Sequence, residues 1–89
     1  RAPLARLMHQ LKAEFVRAEK RTSVPMPYDL PDVLCIERGR TDAMIRTLVQ
    51  ERVIQLERDG GFSIPDPQAF ERYLTYLELK DRFDSAEAY

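Results

Sequence analysis

The first apolar pattern along the chain predicts an amphipathic helix in the N-terminal part. Six apolar residues recur at spacings of three, four and seven positions, as on one face of a helix. They are Leu4, Leu7, Met8, Leu11, Phe15 and Val16. Pro25 and Pro27 follow in a turn-forming segment, so residues 1–24 are assigned to a leading helix and the start of a loop.

Two more helices joined by a short turn are predicted over residues 29–51. Asp29 suits the N-cap of the first helix, with Pro31 in the first turn, where backbone N–H groups have no helical partner. Its expected inward residues are Leu30, Val33 and Leu34. The second of these helices is expected from Arg38 to Glu51. Its expected inward residues are Thr41, Met44, Ile45, Leu48 and Val49.

A β-hairpin and a final helix complete the pattern. Apolar and polar residues alternate around Asp59-Gly60-Gly61, which predicts a hairpin wing over residues 53–64. Asp66 as N-cap and Pro67 at the first helical position predict a helix over 66–79, followed by a polar end that frays. Its expected inward residues are Phe70, Tyr73, Leu74 and Leu77. The order predicts a mainly α fold with a small β-hairpin wing, a winged helix-turn-helix.

Length and composition fit one small domain. The 89 residues are 44% hydrophobic and 33% charged, enough for a single core. No apolar run approaches the roughly 18–20 residues that cross a bilayer, so we expect no membrane partner. A single cysteine excludes an internal disulfide, and we expect a cytoplasmic protein. The first residue is Arg1 rather than Met, and we expect a fragment of a longer chain.

The sequence has no signature of catalysis or of metal binding. It has no P-loop, no Gly-rich dinucleotide turn and no serine elbow, so we expect no enzyme and no cofactor. The chain has one His and one Cys, too few for the usual zinc site. The single Cys35 is expected to be a small buried hydrophobe in the turn.

Charge is distributed unevenly along the chain. The net charge is −1 at pH 7, whereas residues 1–24 carry +4, residues 25–56 carry −1 and residues 57–89 carry −4. Nucleic-acid-binding domains are usually basic, so the overall balance counts against that function. The basic first segment only partly compensates.

Several consecutive segments resemble one family. They are DLPDVLCI, ERGRTDAMIRTLVQERVIQL, the Gly-containing wing ERDGGFSI, and DPQAF, with LARLMHQLKAEFVRA as the leading helix. Together, over roughly residues 4–74, they resemble the C-terminal DNA-binding domain of the Crp/Fnr family of bacterial transcription regulators. The resemblance implies double-stranded DNA as partner, with the third helix in the major groove. It also implies a sensor region before Arg1 and a homodimer on two half-sites about one helical turn apart.

The resemblance also indicates which residues would contact DNA. It places the family's turn Gly at Cys35, and its base-facing positions at Arg38, Gly39 and Ala43, of which only Arg38 reaches base edges. The predicted DNA-contacting set is Arg38, Arg40, Thr41, Asp42, Arg46 and Arg58. We expect Arg38, Arg40 and Arg46 to share one exposed side of the helix. The alternative for Arg38 and Arg40 is a pair of solvated arginines.

A different class of function stays open. The acidic balance, Ala43 and Asp42 favour a winged-helix protein-interaction module that has lost its DNA contacts. The last helix carries more large apolar and aromatic residues than one buried face needs, which predicts a protein partner or dimer surface. These residues are Tyr73, Tyr76, Leu77 and Phe83.

Overall fold

The computed structural model describes residues 2–19 and 22–87, and the side chains of these apart from 81 and 83–87. The helices are α1 (Pro3–Arg17), α2 (Leu30–Leu34), α3 (Arg38–Gln50) and α4 (Pro67–Glu87). Between α3 and α4 lies an antiparallel hairpin of β1 (Gln55–Leu56) and β2 (Phe62–Ser63). The predicted class, mainly helical with a small hairpin, is therefore confirmed. Among the described residues no helix is both long and apolar enough to cross a membrane.

The apolar face of α1 forms one wall of the core. Leu7, Met8 and Leu11 are fully buried, and Phe15 is buried beside them, as their spacing predicts. Val16 is 56% exposed, so its predicted inward position is wrong. It follows Phe15 directly and therefore projects about 100° away from the buried face.

The short helix α2 buries only a narrow face. Asp29 is its N-cap residue and Pro31 lies in its first turn, as predicted, although the Asp29 side chain makes no capping hydrogen bond. Leu30 and Leu34, four positions apart, are buried. Val33 is exposed, and its predicted inward position is wrong because it lies about 100° from Leu34 around the helix.

A left-handed residue separates α2 from α3. Cys35 has φ 57° and ψ 43°, and its N–H and that of Ile36 donate to the carbonyls of Asp32 and Pro31. These two hydrogen bonds form a Schellman motif. The prediction that Cys35 is buried is wrong, because Cys35 is exposed at this reversal and Ile36, the next residue, packs against the core.

The helix α3 ends in the same way. Arg52 is left-handed, with φ 61°, and its N–H donates to the Val49 carbonyl while that of Val53 donates to the Leu48 carbonyl. Val53 and Ile54 are then buried and lead directly into β1. Two helix ends of the same geometry, neither with a glycine, thus set the direction of the chain on both sides of α3.

The hairpin is shorter than predicted, but a third segment is paired to it. β1 and β2 share two residue pairs, Gln55 with Ser63 and Leu56 with Phe62. Val24, in the predicted loop after α1, forms an antiparallel bridge with Phe62. The two residues exchange both backbone hydrogen bonds, each 2.8 Å long. The Phe62 side chain is fully buried, so this bridge lies directly on the core.

The start of α4 follows the prediction and its end does not. Oδ1 of Asp66 accepts hydrogen bonds from the N–H groups of Gln68 and Ala69, at 3.1 and 3.2 Å, so the predicted N-cap is confirmed. Phe70 and Leu74 are buried, whereas the other two predicted inward residues lie at the edge of the core. The helix continues to residue 87 instead of ending at 79, because residues 80–87 contain neither Gly nor Pro.

Two glycines provide a matched test of this packing. A Cβ at Gly61 would lie 2.5 Å from Oγ of Ser23 and 2.7 Å from the Val24 carbonyl oxygen, whereas one at Gly39 would meet nothing within 4 Å. We expect Gly61→Ala to lower the free energy of unfolding by about 1–3 kcal/mol, since the bridged backbone must move. We expect Gly39→Ala to raise it by up to about 1 kcal/mol through helix propensity. Urea denaturation measures both changes, and a Gly61→Ala variant as stable as the parent would contradict this packing.

Candidate nucleic-acid interface

The exposed side of α3 is the surface that the sequence indicates for DNA. Each residue of a helix turns by about 100°, so the side opposite the buried Thr41 and Leu48 is set by the spacing. We call the residues along this side the outer stripe. It consists of Gly39, Ala43, Arg46 and Gln50, all exposed.

The three arginines of α3 are exposed but do not share one side. Arg38 and Arg40 are two positions apart and therefore project about 200° apart around the helix. They lie on opposite edges of the outer stripe, and Arg46 lies within it. The expectation that the three share one side is wrong, because helical neighbours on one face are three or four positions apart.

Arg38 already has a partner within the chain. Its Nη2 donates a hydrogen bond of 3.0 Å to the backbone carbonyl of Tyr28, ten residues earlier. This contact ties the first turn of α3 to the segment before α2. The Tyr28 side chain itself is 87% exposed, a feature that the sequence pattern gave no reason to expect.

Thr41 is part of the core, so its place in the DNA-contacting set is wrong. It is 1% exposed, and its Oγ1 donates a hydrogen bond to the Glu37 carbonyl at 3.1 Å. It lies seven positions before the buried Leu48, two helical turns earlier on the same face. Asp42, the next residue, is half-buried at the edge of the exposed surface.

Carboxylates flank the first turn of α3, which itself carries the exposed Arg38 and Arg40. Asp29, Asp32 and Glu37 are exposed, and Asp42 follows within the helix. Carboxylates at these positions repel a phosphate backbone. The later part of α3 holds Arg46, and the exposed Glu51 and Arg52 follow its end. The two arginines at the end of α3 outweigh the single carboxylate there, so this end is less acidic than the flanks of the first turn.

The hairpin turn next to Arg58 is held by a carboxylate. Asp59 accepts hydrogen bonds from the hydroxyl of Ser23, at 2.7 and 3.0 Å, and from the N–H of Gly61 at 3.0 Å. The Gly61 N–H first, and then the Ser23 hydroxyl, lower the pKa of Asp59 below its ordinary value of 3.8. Arg58 is exposed on this fixed turn, between two acidic neighbours.

Two side chains of α1 lie against acidic residues of α4. Lys12 forms an ion pair with Glu71 of α4. Nε2 of His9 lies 3.3 Å from Oε1 of Glu78, also on α4. Both contacts join α1 to α4, and the Lys12–Glu71 pair offsets part of the positive charge that the sequence concentrates at residues 1–24.

The predicted protein-contacting surface on α4 is partly exposed. Tyr76 is 54% exposed, and its ring centroid lies 6.0 Å from that of Tyr73, which is half-buried. Leu79, which the prediction omitted, is also exposed, whereas Leu77 lies at the edge of the core. The side chain of Phe83 lies outside the described residues.

Sequence reasoning missed Gln50 as a member of the exposed surface of α3. It follows Arg46 by four positions, so the helical period was sufficient to find it. Within the described part of the chain, no group of three or more His, Cys, Asp or Glu side chains could hold a metal ion. No protein-family model, curated protein or solved structure matches this chain.

The hydrogen bonds of Asp59 lead to a pH-dependent stability. The pKa of Asp59 is lower in the folded than in the unfolded protein, so its ionised form favours folding. That contribution is present above pH 3.8 and is lost as the pH falls through the folded pKa. We therefore expect Asp59→Asn to be less stable than the parent at neutral pH, with a difference that shrinks in acid.

Urea denaturation of both proteins between about pH 2 and pH 7 measures this difference. Ser23→Ala is the matched variant, because it removes one donor to the carboxylate and leaves the charge. Its stability should show a weaker acid dependence than that of the parent. A difference between Asp59→Asn and the parent that is independent of pH would contradict the assignment.

Proposed function

We propose that this chain is a winged helix-turn-helix DNA-binding domain of a Crp/Fnr-like transcription regulator, with α3 in the major groove of a promoter half-site. The observation that carries the proposal is the left-handed backbone at Cys35. The resemblance puts the family's turn Gly at this position, and Gly adopts positive φ at low cost. Of the three residues between α2 and α3, Cys35 alone has positive φ.

The arrangement around α3 supports the same proposal. α2, the left-handed turn and α3 are followed by a hairpin whose turn carries exposed Arg58. In helix-turn-helix domains the second helix enters the major groove, while flanking groups contact phosphates and fix the orientation. Arg40 and Arg58, both exposed, are suited to phosphate contacts. The intact regulator would bind as a homodimer, with one such domain on each half-site.

A protein-interaction module is the second candidate function. The exposed Tyr76 and Leu79 on α4 favour it, since large apolar side chains grouped on a surface mark binding sites. The acidic residues around the first turn of α3 favour it as well. The two candidates differ in whether the chain binds DNA at low salt.

Fluorescence anisotropy with a labelled duplex from the protein's own promoter region, titrated over salt concentration, tests the proposal. Binding should weaken steeply with salt, because each neutralised phosphate contributes about −0.9 to the slope of log K against log salt. Arg40→Ala and Arg58→Ala should each reduce the magnitude of that slope by about 1. Arg82→Ala, at an exposed position on α4, is the control of equal charge change and should leave the slope unchanged. Absence of binding at low salt would overturn the proposal and favour the second candidate.

A further inference from the structure

We infer that Arg46 is the main base-contacting residue of this chain, with Gln50 one turn later, and that Arg38 is a positioning residue. The inference rests on the proposed function and names the bases that the same site recognises. The resemblance alone would assign base contacts to the positions of Arg38, Gly39 and Ala43. The arrangement of side chains on α3 instead favours base contacts later along the helix, at Arg46 and Gln50.

The first half of the outer stripe has no side chain that can form hydrogen bonds with a base. Gly39 and Ala43 carry no polar side-chain atom, and the space around a Cβ at Gly39 is empty to 4 Å. No long side chain projects from α3 at this place, so the helix backbone can come close to the bases at the floor of the major groove. Arg46, the next residue of the stripe, is the first with a long side chain, and its guanidinium has five N–H donors.

Arg38 is poorly placed for the same task. It lies at an edge of the outer stripe, and its guanidinium donates to the Tyr28 carbonyl. This hydrogen bond occupies one of its N–H donors and holds the guanidinium towards the segment before α2. Exposed Glu37 precedes it, and Asp42 follows one turn later on the same face. Arg38 therefore acts through Tyr28, by holding the segment before α2 against the start of α3.

Arg46 and Gln50, the two residues of the outer stripe that can donate hydrogen bonds, differ in the base that they prefer. Arg binds the O6 and N7 atoms of guanine in a bidentate contact, and Gln binds the N6 and N7 atoms of adenine. Arg46 and Gln50 are four positions apart, which is about 6 Å along a helix. With about 3.4 Å between base pairs, a helix lying along the groove would meet a guanine and an adenine about two base pairs apart. This is the half-site that the inference predicts.

Selection from a pool of duplexes with a randomised centre, followed by sequencing, tests the inference with the 89-residue chain. The parent should enrich a motif with a preferred guanine. Arg46→Ala should lose that preference, about 5- to 150-fold in relative affinity for the guanine over other bases. Arg46→Lys keeps the charge but not the bidentate geometry, so it should retain the salt slope and lose the guanine preference. Gln50→Ala should lose only the adenine preference.

Two further variants separate positioning from base contact. Arg38→Ala should keep the motif, and its thermal unfolding should occur at a lower temperature because the link to Tyr28 is lost. Arg82→Ala should keep both the motif and the stability of the parent.

The outcomes distinguish this inference from the proposed function. A parent chain that binds no duplex would overturn both. DNA binding without any enriched motif would overturn the inference and leave DNA binding intact. A guanine preference that survives in Arg46→Ala or Arg46→Lys, or that disappears in Arg38→Ala, would also overturn it and leave the proposed function standing.

Discussion

The pairing of Val24 with Phe62 is the constraint on which the position of the hairpin depends. A two-stranded hairpin is at best marginally stable alone, and this one has two residue pairs. Phe62 stabilises it in two ways, because its side chain is fully buried and its backbone exchanges two hydrogen bonds with Val24. The neighbouring Ser23 donates to Asp59 at the tip. The turn that presents Arg58 is thereby fixed to the segment that follows α1.

The electrostatics of the molecule depend on local arrangement more than on net charge. Residues 1–24 are basic and residues 57–89 are acidic. In the fold, side chains of these two segments meet between α1 and α4, as Lys12 does with Glu71. The surface of α3 has its own gradient, with carboxylates around the first turn and Arg46 beyond them. A net charge of −1 is therefore compatible with a localised site for an anionic ligand.

The features that the sequence predicted correctly depend on local rules. The buried face of α1 follows from helical spacing, and the start of α4 follows from Asp66 and Pro67. Cys35 escaped prediction because a left-handed residue other than Gly leaves no compositional signal, and its exposure followed from that backbone. The bridge at Val24 escaped prediction because it joins positions distant in sequence. In the candidate site, the exposure of the arginines was predictable, whereas the contact of Arg38 with a backbone carbonyl was not.

The packing of α1 against α4 has a consequence for synthesis on the ribosome. His9 and Glu78 are 69 positions apart, and Phe15 and Phe70 line the same small cavity between the two helices. One flank of α1 therefore stays uncovered until nearly the whole of this sequence has been translated. Contacts of such long range slow folding, and an apolar surface exposed during that time favours aggregation. Among the described helices, α1 is therefore the first to be synthesised, and its flank against α4 is the last part of it to be covered.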